Sequence, residues 1–232
     1  MAIAAPRSKT DNLSSSDLKR AAILEAATEV FLRDGYLGAN MDSVAARASV
    51  SKQTVYNHFT SKQALFAEIV TTMCLAAGDA VFGEMPEFCG GDIGEYLIDY
   101  GYRQLVTVMT PRVMQLRRLV IGEANRFPEL GKAFFETGPK RAIGVIGRLL
   151  EGAACQGLLT IDDPAAAASV FNWLVMSTPL NRAMFLGDAA IPSQRELRRF
   201  AEDGVRVFLA AYGPKQALTT CASSGAYPKR KK

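Results

Sequence analysis

The stretch from Asn40 to Lys62, NMDSVAARASVSKQTVYNHFTSK, leaves the chain few ways to fold. It reads as two short helices separated by Ser49, Val50 and Ser51. Asn40 can accept from the free N–H groups of a helix beginning at Met41, whose Val44, Ala45 and Ala48 form a small apolar face. Ser51 stands as N-cap of the second helix, where Val55 and Phe59 recur four apart on one side. A helix of two turns does not persist alone in water, so Val55 and Phe59 must pin it against its neighbours. Lys52, Gln53, Thr54, Tyr56 and Asn57 are then held outward on a rigid support.

That outward set suits a nucleic acid duplex. Lys52 and Gln53, in the first turn of a protruding helix, can exchange hydrogen bonds with base edges in a major groove. The hydroxyls of Thr54 and Tyr56, together with His58 and Lys62, can reach phosphates. With Asn40, Met41, Ser51 and Asn57 they make up the candidate DNA-contacting residues. A polar face on an ordinary helical hairpin has the same composition; the order of the residues separates the two.

A small-residue helix, a turn and then Tyr-x-His-Phe-x-x-Lys, here Tyr56 to Lys62, resembles the N-terminal DNA-binding domain of TetR-family transcriptional regulators. The similarity covers roughly residues 17 to 66. Two departures stand out. The family usually carries Gly in the turn where this chain has Ser49, a place where glycine takes a positive φ without steric cost. Asn57 stands where an aromatic residue is common, which exchanges an apolar contact with the DNA backbone for a hydrogen-bonding one. The resemblance implies a homodimer whose two recognition helices read two half-sites of a palindromic double-stranded operator.

Around this unit the chain reads as helical throughout. Ile23, Ala27, Val30 and Phe31 mark one face of a first helix from Ser16 or Asp17 to Asp34, with Gly35 just past its end. Thr60 to Gln63 has the form of a capping box, and Leu65, Phe66, Ile69, Val70, Met73 and Cys74 continue at helical spacing toward residue 84. This long helix leaves the first domain and enters the second as a lever. Thr110-Pro111, Asp163-Pro164 and Ser193 with Glu196 read as further helix starts, and Pro179 as a kink or end. The expected fold is all-α: a three-helix helix-turn-helix domain at 16–62, joined by the long helix to a larger ligand-binding and dimerisation domain at 63–212. A disordered arm at 1–15 and a basic disordered tail at 213–232 flank them.

Charge supports that division. Residues 1–62 carry 8 Lys/Arg and 6 Asp/Glu, a balance of +2; residues 213–232 carry 5 and 0; the remainder carries 14 and 17, or −3. The basic character sits at the two ends. Four cysteines far apart match no metal-ligand spacing and read as reduced thiols in a cytoplasmic protein, and a single histidine, His58, disfavours a histidine-based metal centre or catalytic triad. No catalytic residue, metal or cofactor is expected. The N-terminus does not read as a signal peptide, and the most apolar run, Ala165 to Leu180, is broken by Asn172 and Pro179 and short for a bilayer span, so no membrane segment is expected.

In the second domain, aromatics and methionines beside a few polar groups suit an adaptable apolar pocket, and they suit plain core equally. Tyr96, Tyr100, Met109, Met114, Asn125, Phe127, Phe171, Asn172 and Met176 are the candidates for contact with a small lipophilic effector. Trp173, Leu174, Phe200, Val207 and Phe208, on the two C-terminal apolar helices, are candidates for a dimer interface or for the chain's own core. The segment RRLVIGEANRFPELGKAFFE is similar to the second domain of AefR-like members of the family, which implies a ligand-responsive repressor. Two other readings remain: a helical enzyme or lipid carrier drawing acid-base chemistry from Glu123, Asp162 and Asp163, and a DNA-binding autoregulator with a filled core.

Overall fold

The computed structural model describes residues 14–83, 88 and 90–214, and among these there are helices and no strand. The arm at 1–15, except its last two residues, the tail beyond 214, and Met85, Pro86, Cys89 and Cys221 lie outside the described residues. The elements are α1 (Ser15–Gly38), α2 (Met41–Arg47), α3 (Lys52–His58), α4 (Lys62–Phe82), α5 (Ile93–Val108), α6 (Pro111–Glu123), α7 (Pro128–Thr137), α8 (Pro139–Cys155), α9 (Pro164–Leu186) and α10 (Gln194–Tyr212). A single 3-10 turn, Asp188–Ala190, follows α9.

The helix starts follow from local chemistry. Ser14 caps α1 in a reciprocal box with Asp17, so that the helix begins at Ser15, one or two residues before the expected start. Gly35, at φ 73, breaks the helical path where the sequence placed its end, and the chain resumes one further turn to Gly38. Thr110, Asp163 and Ser193 cap α6, α9 and α10 as expected, Ser193 in a full box with Glu196. The Thr60–Gln63 box does not form. Ser61 is the cap instead and accepts from Ala64 N–H, and alanine has no side chain to reciprocate.

Pro179 neither ends nor divides its helix. It lies buried within the 23 residues of α9, which continues to Leu186. A proline there costs roughly 3 kcal/mol against an unbroken helix. Packing on both sides offsets it: α8 and α10 flank α9, and Gly204 of α10 comes so close that an added Cβ would lie 3.0 Å from Val175 Cγ2 and 3.2 Å from the Leu174 carbonyl.

Two apolar cores form. The first joins α1 to α4 through Ile23, Phe31, Val44, Val55, Phe59 and Phe66, and also takes Leu116 and Val120 of α6 and Leu130 and Phe134 of α7. Tyr36 sits within it, its ring 5.2 Å from Phe66 and 4.8 Å from Phe127. The second holds α5, α8, α9 and α10 together around Leu97, Tyr100, Ile146, Leu150, Phe171, Val175, Val205 and Phe208. Lys62–Val81, with a mean hydropathy of 1.5, is long and apolar enough to cross a bilayer, unlike the Ala165–Leu180 run singled out from sequence. Here Leu65, Phe66, Ile69, Val70 and Cys74 spend that apolarity in the first core and Val81 in the second. The helix therefore runs from one core to the other.

Candidate nucleic-acid interface and effector cavity

The interface is built on caps. Asn40 Oδ1 accepts from Ser43 N–H at 2.8 Å, and Ser51 Oγ accepts from Thr54 N–H at 3.1 Å. Between them Ser49 turns the chain at φ 55, the single non-glycine residue with positive φ among those described. Val55 is fully buried and Phe59 nearly so, with the Arg20 guanidinium 4.9 Å from the Phe59 ring centroid. α3 is thereby fixed through one face. Its other face offers Lys52, Gln53, Tyr56 and Asn57 to solvent, with Tyr56 41% exposed.

These side chains are already ordered. Gln53 Nε2 donates to Asn57 Oδ1 at 2.9 Å along one helix edge, so the two amides act as a unit. Lys52 Nζ lies 2.8 Å from Asp42 Oδ1, an exposed pair that ties α3 to α2 and raises the lysine pKa, chiefly through that hydrogen bond. Thr54 is half-buried and its hydroxyl meets Ser51 Oγ at 2.8 Å. His58 is half-buried beside Phe59.

Two residues stand differently from the expectation. Lys62 Nζ donates to the carbonyls of Ala39 at 2.7 Å and Leu37 at 3.4 Å and sits 4.8 Å from the Tyr36 ring centroid. Burial lowers its pKa, with Glu123 opposing. Its ammonium thus holds the link between α1 and α2 rather than reaching outward. The Met41 side chain is buried at 6% exposure, which leaves only its backbone N–H, at the start of α2, for a phosphate.

A cavity of about 80 Å³ lies where the two cores meet. α4 lines it with Met73, Cys74, Ala77, Gly78 and Val81; α5, α6, α7, α8 and α9 supply the rest, including Gln104, Arg117, Thr137, Arg141, Asn172 and Trp173. Among the expected pocket residues, Asn172 and Met176 line it. Tyr100, Met109, Met114 and Phe171 are instead closed in the second core, while Phe127 packs on Tyr36 and Tyr96 lies against Phe88 at 5.1 Å. Asn125 is exposed just past the end of α6. Gln104 Nε2 donates to Asn172 Oδ1 at 2.9 Å, a buried amide pair inside otherwise apolar packing. Burial pushes the Cys74 thiol up, opposed by the Thr137 hydroxyl and by Arg117.

Of the residues expected at a dimer interface, Phe208 is fully buried within this chain and belongs to its own core, T-shaped against Phe171 at 5.4 Å. Leu174 and Phe200 are half-buried against that core. Trp173 and Val207 remain 50% and 45% exposed. Arg117 escaped the sequence reading, although a signal was there: it falls three residues after Met114 and three before Val120, an arginine on the buried stripe of α6.

A pinned two-turn helix after a tight turn, braced by a long first helix and carried on a fourth that enters a helical bundle, defines a helix-turn-helix protein with an appended all-α domain. Residues 23–69 match the family model for bacterial regulatory proteins of the tetR family, and residues 95–214 that for the AefR-like transcriptional repressor C-terminal domain. The chain belongs to the TetR family of transcriptional regulators, a family of regulators rather than of enzymes. It is similar to the crystal structure of a TetR-family regulator from Mesorhizobium loti at 34% identity and a TM-score of 0.81, over 87% of this chain and 100% of that one. It is similar also to the flavonoid-responsive regulator FrrA at 31% identity and a TM-score of 0.72, over 86% and 99%. Among curated relatives, the transcriptional activator FasR of Mycolicibacterium smegmatis is 46% identical over 54 residues, 23% of this chain and 25% of FasR. The DNA-binding transcriptional repressor TetR of Mycobacteroides abscessus is 38% identical over 79 residues, 34% and 39% respectively. The matches to curated relatives thus span between a quarter and two fifths of their lengths.

Proposed function

We propose that the protein is a ligand-responsive repressor that binds a palindromic operator as a homodimer in the cytoplasm and is released by a small apolar effector. The observation that carries the DNA-binding part is the one-sided burial of α3: Val55 and Phe59 anchor it, and Gln53, Tyr56 and Asn57 face solvent in an ordered array. Gln53 reads a base edge, Tyr56 and Lys52 meet phosphates, and Asn40, Ser51 and Thr54 set the register of the turn. Lys62 acts from behind by holding α1 to α2. The AefR-like C-terminal match supports repression, and the likeness to the activator FasR extends over only 54 residues, 23% of this chain.

The effector part rests on the cavity between the cores. A molecule that fills it prefers a state in which α4 has shifted against α5, α8 and α9. Because α4 begins directly after α3, that shift changes the distance between the two recognition helices of a dimer. Such a ligand moves the equilibrium only by its differential affinity for the two states, typically ~1 to 3 kcal/mol. The flavonoid response named for FrrA is consistent with an effector of this general kind.

The direct test is binding of the purified protein to DNA from upstream of its own coding region, titrated against salt, with Tyr56→Ala alongside. The expected result is site-specific binding that weakens steeply with salt and falls at least about tenfold in the variant, the loss of a hydrogen bond to a charged phosphate being worth ~1.5 kcal/mol or more. Equal affinity of wild type and variant for the selected site would remove α3 from the interface.

A further inference from the structure

The cavity between the two cores is lined by an arginine that has no acidic partner among the described residues. Arg117 enters from α6 and stacks on the Phe134 ring, 4.9 Å from its centroid. Its Nε is shut off from solvent and has no hydrogen-bond partner among the described residues. Three other arginines nearby are placed differently: Arg112 pairs with Glu25, Arg118 with Asp188 and Arg141 with Asp79. No Asp or Glu is among the residues lining the cavity. Cys74, beside Arg117, is held toward its neutral thiol by burial, with Thr137 and Arg117 itself opposing. The Gln104–Asn172 pair across the cavity is neutral. Arg117 is half-buried, with its Nε sealed; a cation so placed without a counter-ion costs the empty protein stability, and an arginine stays charged even where burial lowers its pKa.

We propose that the effector is a small apolar carboxylate whose head group pairs side-on with the Nε and Nη edge of Arg117 while its body lies among Met73, Val81, Leu116 and Met176. This inference rests on the effector-responsive reading above. A carboxylate fits that edge because its two oxygens accept the two parallel N–H bonds of a guanidinium. The apolar body answers the rest of the lining. At about 80 Å³ the cavity is small for such a body, so entry parts α4 and α6 from α5 and α9, the displacement the regulatory reading requires.

Matched acid and amide probes test the head group while keeping the shape: octanoate with octanamide, benzoate with benzamide, and 4-phenylbutyrate with 4-phenylbutyramide. Binding is read on the full chain by thermal shift and by the fluorescence of Trp173, the one tryptophan in the sequence and a lining residue. In at least one pair the acid binds tenfold or more tightly than its amide, and Arg117→Gln abolishes that preference. A second readout needs no ligand. Arg117→Met raises the Tm of the empty protein by about 2 to 4 °C by removing an unbalanced half-buried charge, whereas an arginine kept only for structure lowers it when replaced. Acids and amides that bind equally, or a preference that survives Arg117→Gln, overturn the carboxylate assignment and leave the effector cavity standing. No binding by any of the six overturns both.

Discussion

Ser49 is the residue at which the turn shows its cost. Its φ of 55 is the left-handed conformation that the sequence reading assigned to this place, where the family resemblance led to an expectation of glycine. For a residue with a Cβ that conformation costs roughly 1 to 2 kcal/mol, while glycine adds ~0.4 to 1 kcal/mol of unfolded-state entropy to be lost on folding. Ser49→Gly is therefore expected to stabilise the protein by about 0.5 to 1 kcal/mol, seen as a higher midpoint in urea unfolding with an unchanged slope. Ser49→Val, β-branched at the same φ, is expected to lower it. A lower midpoint for the glycine variant would mean that the serine side chain contributes something the geometry does not show. Lys62 gives the complementary lesson. From the sequence it belonged with the outward cations, because its spacing from His58 is right; only the path of the chain at Leu37 and Ala39 reveals two carbonyls within its reach.

Among the elements, α6 is the one that touches everything the regulatory reading needs. It lines the cavity through Arg117, reaches the turn after α9 through Arg118 and Gln115 on Asp188, and grips α1 through Arg112, whose two Nη atoms donate to Glu25 at 2.8 and 2.6 Å. Those bonds from Arg112 hold the Glu25 carboxyl below its usual range, against a smaller opposing effect of burial. The stabilisation they provide is present above the carboxylate range and is lost as pH falls through the lowered pKa. The pair is about half exposed, so it is worth no more than ~1 kcal/mol to stability. In the proposed mechanism its larger effect would be on coupling. Glu25→Gln is expected to leave the Tm within about 3 °C of wild type, yet to shrink the ratio of operator dissociation constants measured with and without a saturating cavity ligand. An unchanged ratio would place the coupling in α4 alone. The elements themselves were legible because each start is a local event: Thr110, Asp163 and Ser193 announce their helices within four residues. The path of α9 through Pro179 was not, because its support comes from α8 and α10, and neither was most of the cavity, whose wall is assembled from six helices with no spacing in common.

At the scale of the whole molecule the question is where a second copy sits. Phe208 and Val205 close the chain's own core, so they cannot also face a partner. α9 and α10, packed against each other, leave Val170, Trp173 and Val207 exposed at 41, 50 and 45%, and the end of α9 leaves Phe185 and Leu186 outside as well, at 83 and 69%. Sequence reasoning joined buried and exposed residues of these helices into one candidate interface because both kinds are apolar, and only the packing separates them. Trp173 has a second consequence, since it lines the cavity as well. In the proposed dimer a ligand there would touch a residue that the partner would also touch, so effector and dimer geometry would communicate without a long path. Val170→Glu with Val207→Glu places like charges on the proposed face while leaving the cavity lining intact. Sedimentation is expected to show a single species at the 25.1 kDa of one chain in place of twice that mass. Affinity for a palindromic operator then falls by about 10²- to 10⁴-fold, because the second half-site no longer benefits from the effective concentration that dimerisation supplies. The double variant also separates two ways in which α3 could fail: a monomer that still binds a single half-site weakly retains a working recognition helix, whereas a dimer that persists with full affinity puts the interface on another face.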